Sequence, residues 1–384
     1  MNRCRPRRCL VALLPLIGLS ACRAPAPRPT ATQPAFDRMT SVNTLLPAPD
    51  DFAKARIGSG DYPIPPYAKH LKGVKVVLDP GHGGDAHQRG FKRGPTGVRE
   101  AEINLRVAHY LRDFLLHVGA EVRLTRESDV DSTLQQRAAV ANDWPADIFI
   151  SLHHNAIDNK PQTNYTTVWY HDSVDHRPSS LDLARYLCDG LYDALRLPQV
   201  TDVPLKTDKL MYAAGFGVLR TCEVTGALTE SSFYTNPEEE QRLRDPAYNL
   251  REAYGLFRAL AKYAAAGLPR ATLVEPADGR VSLGGPRWLT FVLDDGLRSR
   301  KAWGHERPMI FADSIVVRLD GERLPHEFTS ADYRVSAPLP PTLASGEHRV
   351  EIQFQNMNKN SVLSPGFTIT VPAASTPESV TCAR

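Results

Sequence analysis

From residue 74 to about residue 266 the chain alternates between two hydrophobic periods, and that alternation most restricts what it can fold into. Short apolar runs at 74–78 and 147–152 suit strands buried on both faces. Between them, Ile103, Val107, Leu111, Phe114, Leu115 and Val118 form one apolar stripe over residues 100–118, which predicts a helix ended by Gly119. Residues 121–125 and 167–171 read as further strands, and 217–221 and 227–230 as short ones. Helices are expected at 134–142 and at 179–197, the latter with Leu183, Leu187, Leu191 and Leu195 on one side. Asn236-Pro237-Glu238 and Asp245-Pro246 each combine a capping side chain with proline at the first helical position. This βαβ pattern predicts an α/β fold, a mainly parallel sheet covered by helices.

After Gly267-Leu268-Pro269 the texture changes. Residues 288–293, 314–319, 349–355 and 367–371 alternate apolar and polar between Gly, Pro and Asp turns, with no helical stripe. A small β-sandwich-like domain over residues 270–373 is the expectation, followed by a tail at 374–384. Nothing in its residues assigns it a role. Asp294-Asp295 reads as a solvated turn rather than a Ca²⁺ site.

The chain opens with a basic stretch containing Arg3, Arg5, Arg7 and Arg8, then an apolar run from Cys9 to Leu19. That run is too short to span a membrane as a helix and suits a signal peptide over residues 1–21. Leu19-Ser20-Ala21-Cys22 resembles the bacterial lipoprotein lipobox. The resemblance implies that Cys22 carries the lipid and anchors the protein to a membrane. Arg23 rather than aspartate after that cysteine implies the outer membrane of a Gram-negative bacterium, on its periplasmic face. Residues 22–50, rich in Pro, Ala and Thr, read as a flexible tether, and 51–73 as a transition to the catalytic region at 74–267. Loss of the four N-terminal arginines would bring 46 basic residues close to balance with 43 acidic ones, which gives no reason to expect nucleic acid as a partner. Cys188, Cys222 and Cys382 remain beyond the anchor; buried thiols at Cys188 and Cys222 are preferred to a bridge between them, because spacing alone establishes no disulfide geometry.

Open parallel sheets bind ligands at the carboxyl ends of their strands. His82 lies just past the first expected strand and His153 just past the third, while Glu100 opens the first helix and Glu230 ends a later strand. Two imidazoles and one carboxylate leave a Zn²⁺ coordination position open for water, as a catalytic zinc requires. Glu100 shares the inward stripe of its helix with Ile103 and Val107, whereas Glu102, about 200° away, is expected to face outward and pair with Arg106. Only one of His153 and His154 can point toward the site. Asp79 either holds the second nitrogen of a ligand histidine or is a turn carboxylate. Arg126, Asp129 and Arg137 read as scaffold ion pairs.

The segments LDPGHGG at 78–84, E-x-x-I-N-L at 100–105, LTR at 124–126, SLHHNA at 151–156 and E-x-x-F-x-T-N-P at 230–237 together resemble the zinc-dependent N-acetylmuramoyl-L-alanine amidases of the amidase-3 type. The likeness covers roughly half the chain. It implies zinc ligands at His82, Glu100 and His153, favours His153 over His154, and places the catalytic glutamate at Glu230 rather than at its rival Glu223. It further implies peptidoglycan as substrate and hydrolysis of the bond between N-acetylmuramic acid and L-alanine, in cell-wall remodelling or cell separation. Two features depart from the pattern: Ser232 stands where the family usually has glycine, and residues 86–95 form a basic insertion with His87, Arg89, Lys92 and Arg93, expected to be a solvated loop more than a cleft wall. Residues 198–216 are long enough to cover the cleft, and an activator protein that moves them would be a further, unidentified partner. The alternatives are a zinc peptidase acting on another peptidoglycan bond and a cell-wall-binding lipoprotein with an inactive site.

Overall fold

The computed structural model describes residues 62–171, 177–282, 287–298 and 309–373. Cys22, the signal and tether segments, and Cys382 lie outside them. A six-stranded sheet forms the first layer system, in the order β2 (Glu121–Leu124), β1 (Lys75–Pro80), β3 (Ile148–Asn155), β6 (Thr225–Phe233), β4 (Thr167–Tyr170), β5 (Leu205–Thr207). All neighbouring pairs run parallel except β4 with β6, so the sheet is mixed but mostly parallel, as expected for this α/β pattern.

The pleat divides each central strand between two cores. Val76 and Leu78 of β1, with Ile148, Ile150 and Leu152 of β3, enter the larger cluster. Its helical side comes from α1 (Glu100–His117), α3 (Pro178–Leu195) and α6 (Pro246–Ala265). The opposite parity, Val77 and Phe149, packs beneath α2 (Leu134–Asn142) and α4 (Gly217–Thr221). Helix starts follow local chemistry. Thr133 and Gln136 close a capping box on α2, and Asn236 caps α5 (Pro237–Arg244) through the Glu239 amide.

Three local expectations are corrected. Residues 217–221 are a helical turn, not a strand: Arg220 N donates to Phe216 O and Cys222 N to Val218 O, so Val218 and Leu219 both face the core, which strand alternation would forbid. His153 lies inside β3 rather than beyond it, and Glu230 lies inside β6 rather than at its end. Glu102 is not outward. α1 is covered on nearly every side; Glu102 is buried and accepts from Arg99 Nη1 at 3.0 Å, while Arg106 is buried against Asn249 Oδ1 at 2.6 Å.

Beyond α6 two four-stranded antiparallel sheets face each other. One holds β10 (Glu322–Leu324), β9 (Val316–Leu319), β13 (Gly346–Gln353) and β14 (Gly366–Val371). The other holds β11 (Glu327–Thr329), β12 (Arg334–Pro338), β8 (Trp288–Asp294) and β7 (Arg270–Glu275). Leu289, Phe291, Val335, Val317, Val350, Ile352 and Ile369 fill the space between them, the packing of a sandwich. Asp294 and Asp295 accept from the amides of Gly296 and Leu297 and form a turn, as expected, but not a solvated one: Asp295 is buried and also accepts from the Met309 amide. The sandwich joins the α/β region through a loop that caps α6. Asn360 Nδ2 donates to the carbonyls of Tyr263 and Gly267, Asn356 Nδ2 to that of Ala266, and the Ser361 amide to Asp182. The last carbonyls of a helix need such donors. Among the described residues no helix is long and apolar enough to cross a membrane.

Candidate metal centre

After β1 the chain turns through Gly81-His82-Gly83-Gly84. His82 has φ +59°, a left-handed conformation that a non-glycine residue adopts at a cost of about 1–3 kcal/mol, and such strain concentrates at functional sites. Gly83 and Gly84 have φ of +124° and +71°, and a Cβ on either would strike the segment around Val130 and Asp131. The turn is clamped from below. Arg126 donates to the carbonyls of Pro80, Gly81 and Ala101, and Arg137 to Asp79 and to the carbonyls of Pro80 and His82. Both arginines are scaffold, as read from the sequence, though mostly through carbonyls.

Glu100 is the first residue of α1, where the helix dipole favours an anion, and its amide donates to Lys92 O. Its carboxylate meets two imidazoles: His82 Nε2 lies 3.1 Å from Oε2 and His153 Nδ1 3.1 Å from Oε1. The two rings stand edge to face, 4.8 Å apart. One ligand atom from each of His82, Glu100 and His153 falls within 4.8 Å of the others, a group that could hold a metal ion. Burial opposes the charge on Glu100, but hydrogen bonds from His153 and His82 hold its carboxyl well below the usual range. Burial pushes the His153 imidazole down.

Strand parity separates the two histidines. His154 shares the face of Ile150 and Leu152, and is buried between Asn104 Oδ1 at 2.8 Å and Glu252 Oε2 at 3.2 Å. His153 takes the other face, in a space left by Gly81, where a Cβ would overlap the imidazole ring. Glu230 is the ladder partner of His153 across β3 and β6, and the register breaks immediately afterwards, between His153 and Asn155. Bulges of this kind re-aim side chains beside active sites. Glu230 is half-buried; its Oε2 is enclosed and has no hydrogen-bond partner among the described residues. Burial, with the nearby Glu100 charge, raises its carboxyl well above the ordinary value, against a smaller opposing effect of Lys92. The rival Glu223 precedes β6 at the opposite end of the strand, exposed and tied to Asn142.

The other sequence expectations are met in part. Asp79 holds no ligand histidine; its oxygens accept from Thr125, Ser151 and Arg137. Residues 86–91 of the basic insertion are exposed, but Lys92 turns partly inward, and Arg93 is tied to the carbonyls of Gly97 and Ala86. Ser232 is buried, with no partner for its hydroxyl among the described residues. Residues 198–216 do not form one cover. Pro204 O meets β4 beside Val168, while the following segment leaves along β5 toward the end of the sheet away from Glu230. Cys188 and Cys222 are free and buried, with burial pushing their thiols up to about 12 and about 11.

Two residues beside the cluster were given no part by sequence reasoning. Asn104 donates to Gly81 O and to Glu100 Oε1, and its place one turn after Glu100 was a readable signal. Glu252 had none, lying on a helix far along the chain.

Residues 76–262 match the amidase-3 family, described as N-acetylmuramoyl-L-alanine amidase. The germination-specific N-acetylmuramoyl-L-alanine amidase of Bacillus subtilis (strain 168) is 29% identical over 213 residues, 52% of this chain and 83% of that protein. The N-acetylmuramoyl-L-alanine amidase AmiA of Escherichia coli (strain K12) is 28% identical over 236 residues, 52% of this chain and 79% of its own length. A solved N-acetylmuramoyl-L-alanine amidase from Clostridium difficile 630 is 27% identical, covering 50% of this chain and 97% of its own, with a TM-score of 0.44. The α/β region therefore has an amidase-3-like fold, and the family and the relatives that it matches are named N-acetylmuramoyl-L-alanine amidases.

Proposed function

We propose that this chain hydrolyses the amide between the lactyl group of N-acetylmuramic acid and L-alanine in peptidoglycan, with Zn²⁺ held by His82, Glu100 and His153 and with Glu230 as proton carrier. The observation that carries the reading is a half-buried carboxylate, one oxygen enclosed and unpartnered among the described residues, in register beside a three-residue ligand cluster. The donor set suits zinc. Ligand bonds of about 2.0–2.1 Å at tetrahedral angles place neighbouring ligand atoms roughly 3.3 Å apart, close to the 3.1 Å between Glu100 Oε2 and His82 Nε2, in a group whose ligand atoms all lie within 4.8 Å of one another. Three protein ligands also leave a position open for water.

When bound, zinc supplies Lewis acidity, which makes water a usable nucleophile near neutral pH and offsets charge growing on the scissile carbonyl oxygen. Glu230 takes the proton of the attacking water at Oε2 and returns it to the departing amide nitrogen, so that an amine leaves rather than an amide anion. A carboxyl raised above the ordinary value is a stronger proton acceptor than a free glutamate, which suits the first half of that exchange. His82, Glu100 and His153 remain as ligands throughout.

The lipobox-like Leu19–Cys22 supports a lipid anchor at Cys22 and a place on the periplasmic face of the outer membrane.

The test pairs Glu230→Gln with product analysis. The variant should retain one zinc per chain and lose roughly 10²–10⁴-fold in kcat. Full activity in Glu230→Gln would remove Glu230 from the chemistry. Mass spectrometry of digested peptidoglycan should find intact stem peptides and intact glycan. Cleavage within the peptide would point to a different bond, and retention without release to a binding protein.

A further inference from the structure

Glu100 is held by more than the two imidazoles, and the extra contacts fall on one oxygen. Oε1 faces His153 Nδ1 at 3.1 Å, the His154 main-chain amide at 3.2 Å and Asn104 Nδ2 at 3.4 Å. Oε2 faces only His82 Nε2, at 3.1 Å, among the described residues. A carboxylate restrained at one oxygen presents the other in a set direction. What restrains Asn104 can be followed outward. Its Nδ2 faces two acceptors, Gly81 O at 3.3 Å and Glu100 Oε1, so the amide nitrogen must occupy that side and Oδ1 the other. Oδ1 then needs a donor, and the group 2.8 Å away is His154 Nδ1, which must carry its proton. The far nitrogen of that ring, Nε2, lies 3.2 Å from Glu252 Oε2. Asn104, His154 and Glu252 are all buried, on α1, β3 and α6 respectively.

We infer that Glu252, His154 and Asn104 form a positioning relay that orients the Glu100 carboxylate, so that Oε2 is the oxygen offered to the metal. Glu252 sets the His154 ring, the ring sets the Asn104 amide, and the amide with the His154 main chain holds Oε1. None of the three touches substrate. The relay explains why a histidine beside a ligand histidine is buried on the wrong face for ligation: its side chain acts from behind the ligand instead of beside it. It also gives a role to Glu252, an acidic side chain buried on the inward side of α6.

The inference rests on the zinc reading above, so its test begins with zinc binding by the purified full-length chain, measured by competition with a chelator of known affinity. The variants are Glu252→Gln, which keeps shape and packing, and His154→Leu, which removes both ring hydrogen bonds. Each should weaken zinc binding by roughly 10–100-fold, the usual effect of losing a partner that orients a ligand. A merely structural role would lower the melting temperature of the metal-free protein and leave the zinc affinity alone. Combining Glu252→Gln with Asn104→Ala should weaken binding by less than the product of the separate effects, because one relay is broken twice. Zinc affinity within twofold of wild type in Glu252→Gln overturns the relay even if His154→Leu does not fold. A wild-type chain that binds no zinc overturns both the relay and the function; a wild-type chain that binds zinc beside unaffected variants overturns the relay alone.

Discussion

Gly81→Ala tests the centre with a single methyl group. A Cβ at residue 81 would overlap the His153 imidazole and lie 2.6 Å from Nδ1, where ordinary contacts begin at 3.4 Å. The ring would therefore have to move by at least about 0.8 Å, because the other party to the clash is main chain. Gly81 itself cannot yield easily. Its amide donates to Leu152 O, and its carbonyl accepts from Asn104 and Arg126. His153 Nδ1 is the atom that meets Glu100, so the displacement falls on the ligand cluster. A misplacement of this size in a catalytic constellation costs on the order of 10²-fold. Overpacking should also destabilise the domain by about 1–3 kcal/mol, a fall of roughly 3–10 °C in melting temperature, which leaves it folded at 25 °C. The assay is zinc titration beside peptidoglycan digestion, with circular dichroism to establish folding. A folded Gly81→Ala protein with wild-type zinc affinity and turnover would refute the placement of His153 in the centre.

Further expectations concern the scaffold. Arg126→Met removes the donor shared by the carbonyls of Pro80, Gly81 and Ala101 and should destabilise the fold by about 2–4 kcal/mol in urea unfolding; a change below 1 kcal/mol would mean that water replaces the guanidinium. Asn360→Ala deprives the Tyr263 and Gly267 carbonyls of a buried donor, and should cost about 1–3 kcal/mol and uncouple melting of the sandwich from that of the α/β region in calorimetry. Asp182 is buried beside Ser361, and burial raises its carboxyl above the usual 3.8. The folded state therefore holds its proton to higher pH than the unfolded chain does, so this group costs stability above its folded pKa and relieves that cost as pH falls toward 3.8. Asp182→Asn, which keeps an oxygen for the Ser361 amide, should raise the melting temperature at pH 7 by about 2 °C and have less effect near pH 4; a lower melting temperature at pH 7 would reverse the assignment.

Much of this protein is readable along the chain because its signals are local. The stripe of Ile103, Val107 and Leu111 specifies α1 through helical period alone, and Asn236-Pro237 and Asp245-Pro246 mark helix starts through caps that need no distant partner. That His82, Glu100, His153 and Glu230 fall near the ends of strands and helices follows from the same patterns, although His153 and Glu230 lie inside β3 and β6. Tertiary structure decided what depends on partners far away in sequence. Glu102 is polar and was expected to face water, but Arg99 and the elements packed around α1 bury it. Residues 217–221 have strand-like composition, yet a core that wants both Val218 and Leu219 makes them a helical turn. Asp79 was a candidate to support a histidine until Thr125, Ser151 and Arg137 took its oxygens. His154 looked equal to His153 until the pleat of β3 sent them to opposite faces, one beside Glu230 and the other toward Glu252, almost a hundred residues away. Hydrophobic period and capping are properties of neighbouring residues and belong to the sequence. Which carboxylate meets which imidazole is a property of how strands and helices stack, and only the folded chain holds it.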